Sequence, residues 1–171
     1  MHVYLNPDDL LLMAERSGFC STRELFDHGL VIIDHGRNNA PLPRLRFREA
    51  AVKCCPFLEN RLEEDGRLYG LCGLHPGSKP LVCILAPLFR EVDLDAADDI
   101  WGFKPPLPGC PGCNAESKAE NRYSEIADPA ILDRLDSEKQ FFRRLAGLLD
   151  DGASEEKIIE ELYYRKVNCT H

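Results

Sequence analysis

The feature that most constrains the fold of this chain is its set of cysteines. Eight cysteines occur in 171 residues, and they are Cys20, Cys54, Cys55, Cys72, Cys83, Cys110, Cys113 and Cys169. The N-terminal sequence MHVYLNPDDLLLMAERSG carries early acidic residues and no apolar signal core, so we expect a cytoplasmic location. In a reducing compartment, clustered cysteines indicate metal ligands rather than disulfides.

Charge and hydropathy exclude two classes of partner. The net charge of -8 and the pI near 5.1 repel phosphate backbones and anionic lipid surfaces, so we expect no nucleic-acid binding. No apolar run reaches the roughly 18 residues that a membrane span needs, so we expect no membrane partner. The one basic stretch has Arg44, Arg46 and Arg48 at strand period, which favours a solvated edge strand over an anion or partner site.

The first section, residues 1–53, shows helical start signals. Asn6 is placed as an N-cap and Pro7 as the first helical residue, which predicts a helix over 7–17. A second helical stretch is predicted over 21–27. The apolar, β-branched run at 30–33 predicts a strand.

The middle section, residues 54–114, lacks sustained helical periodicity and holds six of the cysteines. We expect it to be an irregular metal-binding core. A loose hairpin is predicted between 53–58 and 68–74, and Pro80 predicts a single helical turn over 81–85.

Two clusters in the later part of this section are open to a functional reading. The aspartates of 93–99 lack the glycine and terminal glutamate of an EF-hand, which favours a solvated loop over a calcium site. The aromatic residues Trp101 and Phe103 are expected to cover the metal core rather than to face a partner.

The last section, residues 115–171, is charged and helical. Pro129 opens an amphipathic segment that Gly152 closes, and Ser154 is placed as the N-cap of a further helix. The two helices are predicted to form an antiparallel pair, packed on the rest of the chain or presented to a protein partner. Together the three sections predict a single domain, 1–171, that is mainly α with a few short strands, in which helices frame a loop-rich cysteine core.

The cysteine spacing is not that of a standard zinc finger, because there is only one Cys-x-x-Cys pair. That pair, Cys110-Pro111-Gly112-Cys113, has a tight turn suited to aiming backbone N–H groups at sulfur. The histidine His75 stands three residues after a cysteine and either completes a mixed site or bonds a loop. The candidate ligands are Cys20, Cys54, Cys55, Cys72, Cys83, Cys110 and Cys113.

Part of this section resembles a known family. The stretch Cys55-Pro56-Phe57-Leu58, followed by Cys72 and by Lys79-Pro80 before Cys83, is similar to the YkgJ-type cysteine-cluster family of zinc- or iron-chelating domains. The resemblance implies a metal or cluster held by Cys55, Cys72 and Cys83 with further cysteines. It also implies iron–sulfur chemistry, since relatives in that family are associated with such chemistry, among them a flagellar enzyme that methylates protein lysines.

One departure from the family pattern bears on the remaining ligands. Family members carry further Cys-x-x-Cys-like spacings just before the adjacent cysteine pair, whereas here only Cys20 lies upstream. Either Cys20 or the pair at 110 and 113 would then supply the missing ligands.

These observations lead to three hypotheses about function. The first is a metal-binding protein that holds an iron–sulfur cluster, four-iron by expectation, through four thiolates. The second is a structural zinc protein that acts as an interaction module. The third is an accessory subunit of a redox or methyl-transfer enzyme, since no nucleotide loop or catalytic motif indicates an independent enzyme.

Overall fold

The computed structural model of the chain describes residues 2–36, 39–49, 54–66, 68–103 and 128–168. The helices in these ranges are α1 Pro7–Arg16, α2 Arg23–Asp27, α3 Leu81–Leu85, α4 Pro129–Asp150 and α5 Glu155–Leu162. The strands are β1 Val31–His35, β2 Pro41–Leu45, β3 Leu58–Leu62, β4 Leu68–Cys72, β5 Leu88–Glu91 and β6 Ile100–Phe103. None of the helices within the described ranges is long and apolar enough to cross a lipid bilayer.

Helix α1 begins with a reciprocal capping box. The backbone N–H of Asp9 donates to the Asn6 side chain at 2.8 Å, and the backbone N–H of Asn6 donates to the Asp9 carboxylate at 3.1 Å. Pro7 occupies the first helical position, where its missing N–H costs nothing. The predicted helix over 7–17 is therefore confirmed, with Ser17 as its C-cap.

The main core lies between α1, the β1–β2 hairpin and the two C-terminal helices. Strand β1 pairs with β2 in antiparallel register, so that Val31 lies opposite Leu45. Both side chains are buried, together with residues of α1, α4 and α5. Burying this apolar surface is the main favourable contribution to folding. The buried set includes Leu10, Met13, Leu25, Leu145, Ile158 and Leu162.

The C-terminal helices start where the sequence predicts. The Asp128 side chain accepts the Ala130 N–H at the start of α4, and the Ser154 side chain accepts the Lys157 N–H at the start of α5. After α5 the chain packs back on the N-terminal half. The buried Tyr163 hydroxyl donates to the carbonyl of Pro41 in β2 at 2.7 Å. Residues of both C-terminal helices thus form part of the main core.

The prediction of a mainly α chain with a few short strands is wrong. The described residues form a mixed fold with three two-stranded antiparallel sheets, β1–β2, β3–β4 and β5–β6. The physical reason is that short hairpin strands need not carry an apolar alternation. Strand β3 reads Leu-Glu-Asn-Arg-Leu with all five residues exposed, so burial imposes no period on it. The predicted hairpin exists, but its first strand is 58–62 rather than 53–58.

The β5–β6 hairpin is attached to α4 by buried charges, which the expectation of a solvated acidic loop missed. The Asp99 side chain is only 8% exposed and accepts from Arg90 Nε at 2.7 Å and from Lys139 Nζ at 2.9 Å. Lys139 Nζ also donates to the carbonyl of Ala96 at 3.0 Å. The loop is therefore held by α4 and is not free in solvent.

Candidate functional site

The structure describes five of the seven predicted metal ligands. Cys54, Cys55, Cys72 and Cys83 are free thiols. Cys20 is the fifth, and Cys110 and Cys113 lie outside the described residues. The candidate site therefore consists of the four free thiols.

Cys55 begins a tight turn that leads into β3. Its carbonyl accepts the Leu58 N–H at 3.1 Å, and its sulfur receives a hydrogen bond from the Phe57 N–H. An N–H group aimed at sulfur favours the thiolate, which is the form that binds metal. Burial nevertheless raises the pKa of Cys55 above its usual value, and negative charge at Cys72 adds to the rise.

Cys54 stands just before this turn and is tied to a different strand segment. The Arg48 N–H donates to the Cys54 carbonyl at 2.9 Å, which forms an isolated antiparallel bridge. The Arg48 guanidinium also donates to the carbonyl of Pro56. These contacts fix the backbone on both sides of the Cys54–Cys55 pair.

Cys72 ends β4 at the base of the same hairpin and lies opposite Leu58. The next residue, Gly73, donates its N–H to the Phe57 carbonyl at 2.8 Å. The Cys72 carbonyl accepts the His75 N–H at 2.9 Å, so the chain turns immediately after the strand. The hairpin thus carries Cys55 at its entrance and Cys72 at its exit.

Cys83 comes from the separate helix α3, whose position is set by α1. The Leu81 N–H at the start of α3 donates to the Asp9 carboxylate at 2.9 Å. Burial raises the pKa of the Cys83 thiol to about 11. Negative charge at Cys55, and to a lesser degree at Asp9 and Cys72, adds to the rise.

Three thiols from three chain segments therefore lie within electrostatic reach of one another. The raised pKa values of Cys55 and Cys83 favour their protonated forms as long as no cation is bound. Within the described ranges, however, no three Cys, His, Asp or Glu side chains are arranged closely enough to hold a metal ion. The thiols are thus suitable metal donors, but the described side chains lie too far apart to bind one ion together.

Cys20 is engaged elsewhere, because its sulfur is part of a disulfide bond. Its N–H donates to the Glu24 carboxylate at 2.8 Å, and its carbonyl accepts the Val167 N–H at 2.9 Å. A disulfide sulfur is not a thiolate, so Cys20, predicted as a ligand from the sequence, does not belong to the candidate ligand set.

An open cleft of about 890 Å³ gives access to Cys83. Its walls include His75 and Lys79 from the segment between β4 and α3, together with Arg134 from α4. The Arg134 guanidinium is bound to Asp9 at 2.7 Å and to the Lys79 carbonyl at 2.9 Å. His75, considered from the sequence as a mixed-site ligand, therefore lies on the same cleft as Cys83.

Sequence reasoning missed the supports of this site. Asp9 lies in the first turn of α1, where a carboxylate is expected from the helix dipole alone, and no local pattern distinguishes Arg134. The hydrogen bond from Asp9 to α3 joins residues 72 positions apart, and no local pattern reveals such a contact. The Phe57 N–H was detectable in principle, because a Cys-Pro-Phe-Leu turn places that group near the sulfur.

A second cavity of about 430 Å³ lies between α3, β5 and α4. It is lined mainly by apolar side chains, including Val82, Leu88 and Phe142. Its polar lining includes Arg90 and Glu138, whose side chains bond each other at 3.3 Å. None of the four free cysteines lines this cavity.

Comparison of the chain with protein-family models, with curated proteins and with solved structures gave no match.

Proposed function

We propose that this chain binds a metal through cysteine thiolates and that Cys55, Cys72 and Cys83 are three of the ligands. The fourth ligand comes from Cys54, or from Cys110 or Cys113 outside the described residues. The bound group is an iron–sulfur cluster, four-iron by expectation, or zinc. This is also the ligand set that the resemblance to the YkgJ-type family implies.

The observation that carries the proposal is the grouping of three free thiols that are distant in sequence. Negative charge at Cys55 or Cys72 would raise the pKa of the Cys83 thiol, although these residues lie 28 and 11 positions away from it in the sequence. Three mutually repelling thiolates are unfavourable as a group unless a cation neutralises them. A metal would supply that charge and draw the sulfurs closer than they lie in the described chain.

The surroundings of the thiols suit metal binding in two further respects. Cys55 and Cys72 are partly buried against the main core, which limits access of water to the sulfurs. Cys83 opens on the cleft, which provides a route for the incoming metal or cluster. A sulfur-only donor set is used by both structural zinc sites and iron–sulfur proteins, so the metal must be determined by analysis.

The first experiment identifies the metal. Protein purified without oxygen is analysed for iron, sulfide and zinc, and its absorption spectrum is recorded. About four iron and four sulfide per chain with a broad visible band would indicate a four-iron cluster. About one zinc per chain without colour would indicate a structural zinc site. Free thiols with neither metal, before and after anaerobic reconstitution, would contradict the proposal.

The second experiment identifies the ligands. Cys55→Ser, Cys72→Ser and Cys83→Ser are each expected to weaken binding of added zinc by about 100-fold or more, since each removes one thiolate. His75→Ala lies on the same cleft and should bind zinc like the wild type if the site is all-thiolate. Cys54→Ser tells whether the fourth ligand is Cys54. Unchanged zinc affinity in Cys83→Ser, with an unchanged circular-dichroism spectrum, would overturn the assignment.

The other expectations from the sequence stay predictions. They are the cytoplasmic location, a protein partner on the C-terminal helices, and a role as interaction module or as accessory subunit of a redox or methyl-transfer enzyme.

A further inference from the structure

One edge of strand β3 is left open by the residues that the structure describes. Its five residues, Leu58–Leu62, are all exposed, and among the described strands only β4 pairs with it. Leu62 is 70% exposed, the highest value among the large apolar side chains described as exposed. An exposed strand edge offers unpaired N–H and C=O groups to another strand. The edge of β3 is therefore a candidate site for pairing with a strand of another molecule.

The hydrogen bonds at the base of the hairpin fix which backbone groups face outward. The Gly73 N–H donates to the Phe57 carbonyl, and the Leu58 N–H points away from β4 to the Cys55 carbonyl. Because the direction alternates along an antiparallel strand, Asn60 and Leu62 also point their N–H and C=O groups away from β4. Two N–H groups and three C=O groups of β3 are thus directed at the open edge.

The side chains of β3 are complementary to a second copy of the same strand. The sequence Leu-Glu-Asn-Arg-Leu has its opposite charges at equal distances from the central Asn60. If two copies pair antiparallel about Asn60, Glu59 lies opposite the partner's Arg61. In the same register Leu58 lies opposite the partner's Leu62. In this register each charged side chain faces an opposite charge, and each leucine faces a leucine.

Backbone and side chains agree on this register. Asn60 would exchange two hydrogen bonds with the partner's Asn60, as its outward N–H and C=O groups require. Glu59 and the partner's Arg61 would then form a non-hydrogen-bonded pair, in which facing side chains are closest. Charges on a strand edge normally discourage pairing, but these two, related by the two-fold axis, attract.

We propose that this chain forms a two-fold dimer through the β3 edge, so that two hairpins make a four-stranded antiparallel sheet in the order β4–β3–β3–β4. Among the described residues, the competing contact of Arg61 is weak, since its Nε lies 3.3 Å from Glu63 Oε1 and the two side chains are 69% and 44% exposed. The shared area is small, so the dimer is concentration-dependent. This inference is independent of metal binding.

The test is sedimentation equilibrium of the full-length protein over a range of concentrations. Glu59→Arg and Arg61→Glu are each expected to weaken the dimer by about tenfold or more, because like charges then face each other twice. An equimolar mixture of the two variants should restore association to within about threefold of the wild type, since every facing pair is again opposite in sign. The double variant E59R/R61E should also restore it.

Two further measurements keep the test decisive. Asn60→Pro leaves both charges in place but removes the central outward N–H, and it is expected to abolish the dimer while preserving the β3–β4 pairing. Non-reducing electrophoresis of the same samples excludes an intermolecular disulfide. A wild type that stays monomeric at millimolar concentration would overturn the proposal. So would a mixture of the two charge variants that associates no better than either variant alone.

Discussion

Asp9 is 1% exposed, and its two carboxylate oxygens serve three helices. One oxygen closes the capping box of α1 by accepting the Asn6 N–H. The other accepts the Leu81 N–H at the start of α3 and a hydrogen bond from Arg134 in α4. A single buried carboxylate therefore sets the relative positions of the helix that begins the chain, the helix that carries Cys83 and the long C-terminal helix.

Substitution of Asp9 is expected to be far more damaging than that of its neighbour. Asp9→Ala leaves the Arg134 guanidinium and two backbone N–H groups without their partner, and we expect a loss of about 3–5 kcal/mol in the free energy of unfolding. Asp8→Asn, at the half-exposed neighbouring position, should cost less than about 1 kcal/mol. Urea denaturation of both variants measures the difference. Equal losses would show that the Asp9 contacts contribute little.

The sequence separation of the contacting residues explains why only part of the fold and of the site could be predicted. The caps of α1 and α5 depend on side chains within three residues, so the sequence alone predicted Asn6 and Ser154 as N-caps. For α4 it predicted the start at Pro129 but not the Asp128 cap. Cys55, Cys72 and Cys83 were chosen as ligands from local turns and a family resemblance. The contacts that position Cys83 join α3 to distant α1 and α4, and these cannot be read from neighbouring residues.

At the scale of elements, the β5–β6 hairpin depends on ion pairs with α4. Burial opposes ionisation of Asp99, but hydrogen bonds from Lys139 and Arg90 outweigh it and hold the pKa of that carboxyl below its usual value. A carboxyl with a lowered pKa in the folded state contributes stability above its unfolded pKa of about 3.9. That contribution is lost as the pH falls through the folded pKa.

We therefore expect Asp99→Asn to change both stability and its pH dependence. At pH 7 the variant should lose about 3 kcal/mol, because Arg90 and Lys139 keep their charges in a buried place without the counter-charge. Below pH 4 the wild type should lose stability more steeply than the variant. Thermal unfolding between pH 2 and pH 7 measures both effects, with the exposed Asp98→Asn as the control. Parallel pH curves for wild type and Asp99→Asn would contradict this account.

The hairpins also show why the fold class was mispredicted. Strand β3 is exposed along its length, and β5 and β6 have only four residues each. Periodicity detects a strand only when one face is buried over several residues. Strand β1, which has a buried position and pairs with the partly buried β2, was the one that an apolar run predicted. The other two hairpins are held by strand pairing, and the β5–β6 hairpin also by ion pairs with α4. Neither kind of contact leaves a periodic pattern in the sequence.

At the scale of the whole molecule, the two ends of the chain are joined at Thr22. This residue is fully buried, and its hydroxyl donates to the Tyr163 carbonyl and accepts the Arg165 N–H at 2.8 Å. The Thr22 N–H donates to the Arg165 carbonyl at 3.0 Å. The segment that follows α5 is thereby fixed on the N-terminal half of the fold.

Replacing this hydroxyl should loosen the C-terminal segment selectively. Thr22→Val keeps the shape but removes both hydroxyl contacts, and we expect it to cost about 2 kcal/mol. Thr22→Ser keeps the hydroxyl and should lose only the contribution of one methyl group, about 1 kcal/mol. Hydrogen exchange at the Arg165 amide measures the effect directly. Protection should fall in the valine variant and persist in the serine variant, whereas equal protection in both would contradict the expectation.

The contact of Lys139 with the β5–β6 loop has a consequence for how the protein responds to its medium. Its ammonium group donates hydrogen bonds to oxygen atoms of Ala96 and Asp99 and so occupies the place that a dissolved cation could take. A counter-ion that is covalently part of the chain can be neither diluted nor chelated. The part of this acidic loop that Lys139 holds, at Ala96 and Asp99, should therefore keep the same shape in calcium, in chelator and in plain buffer.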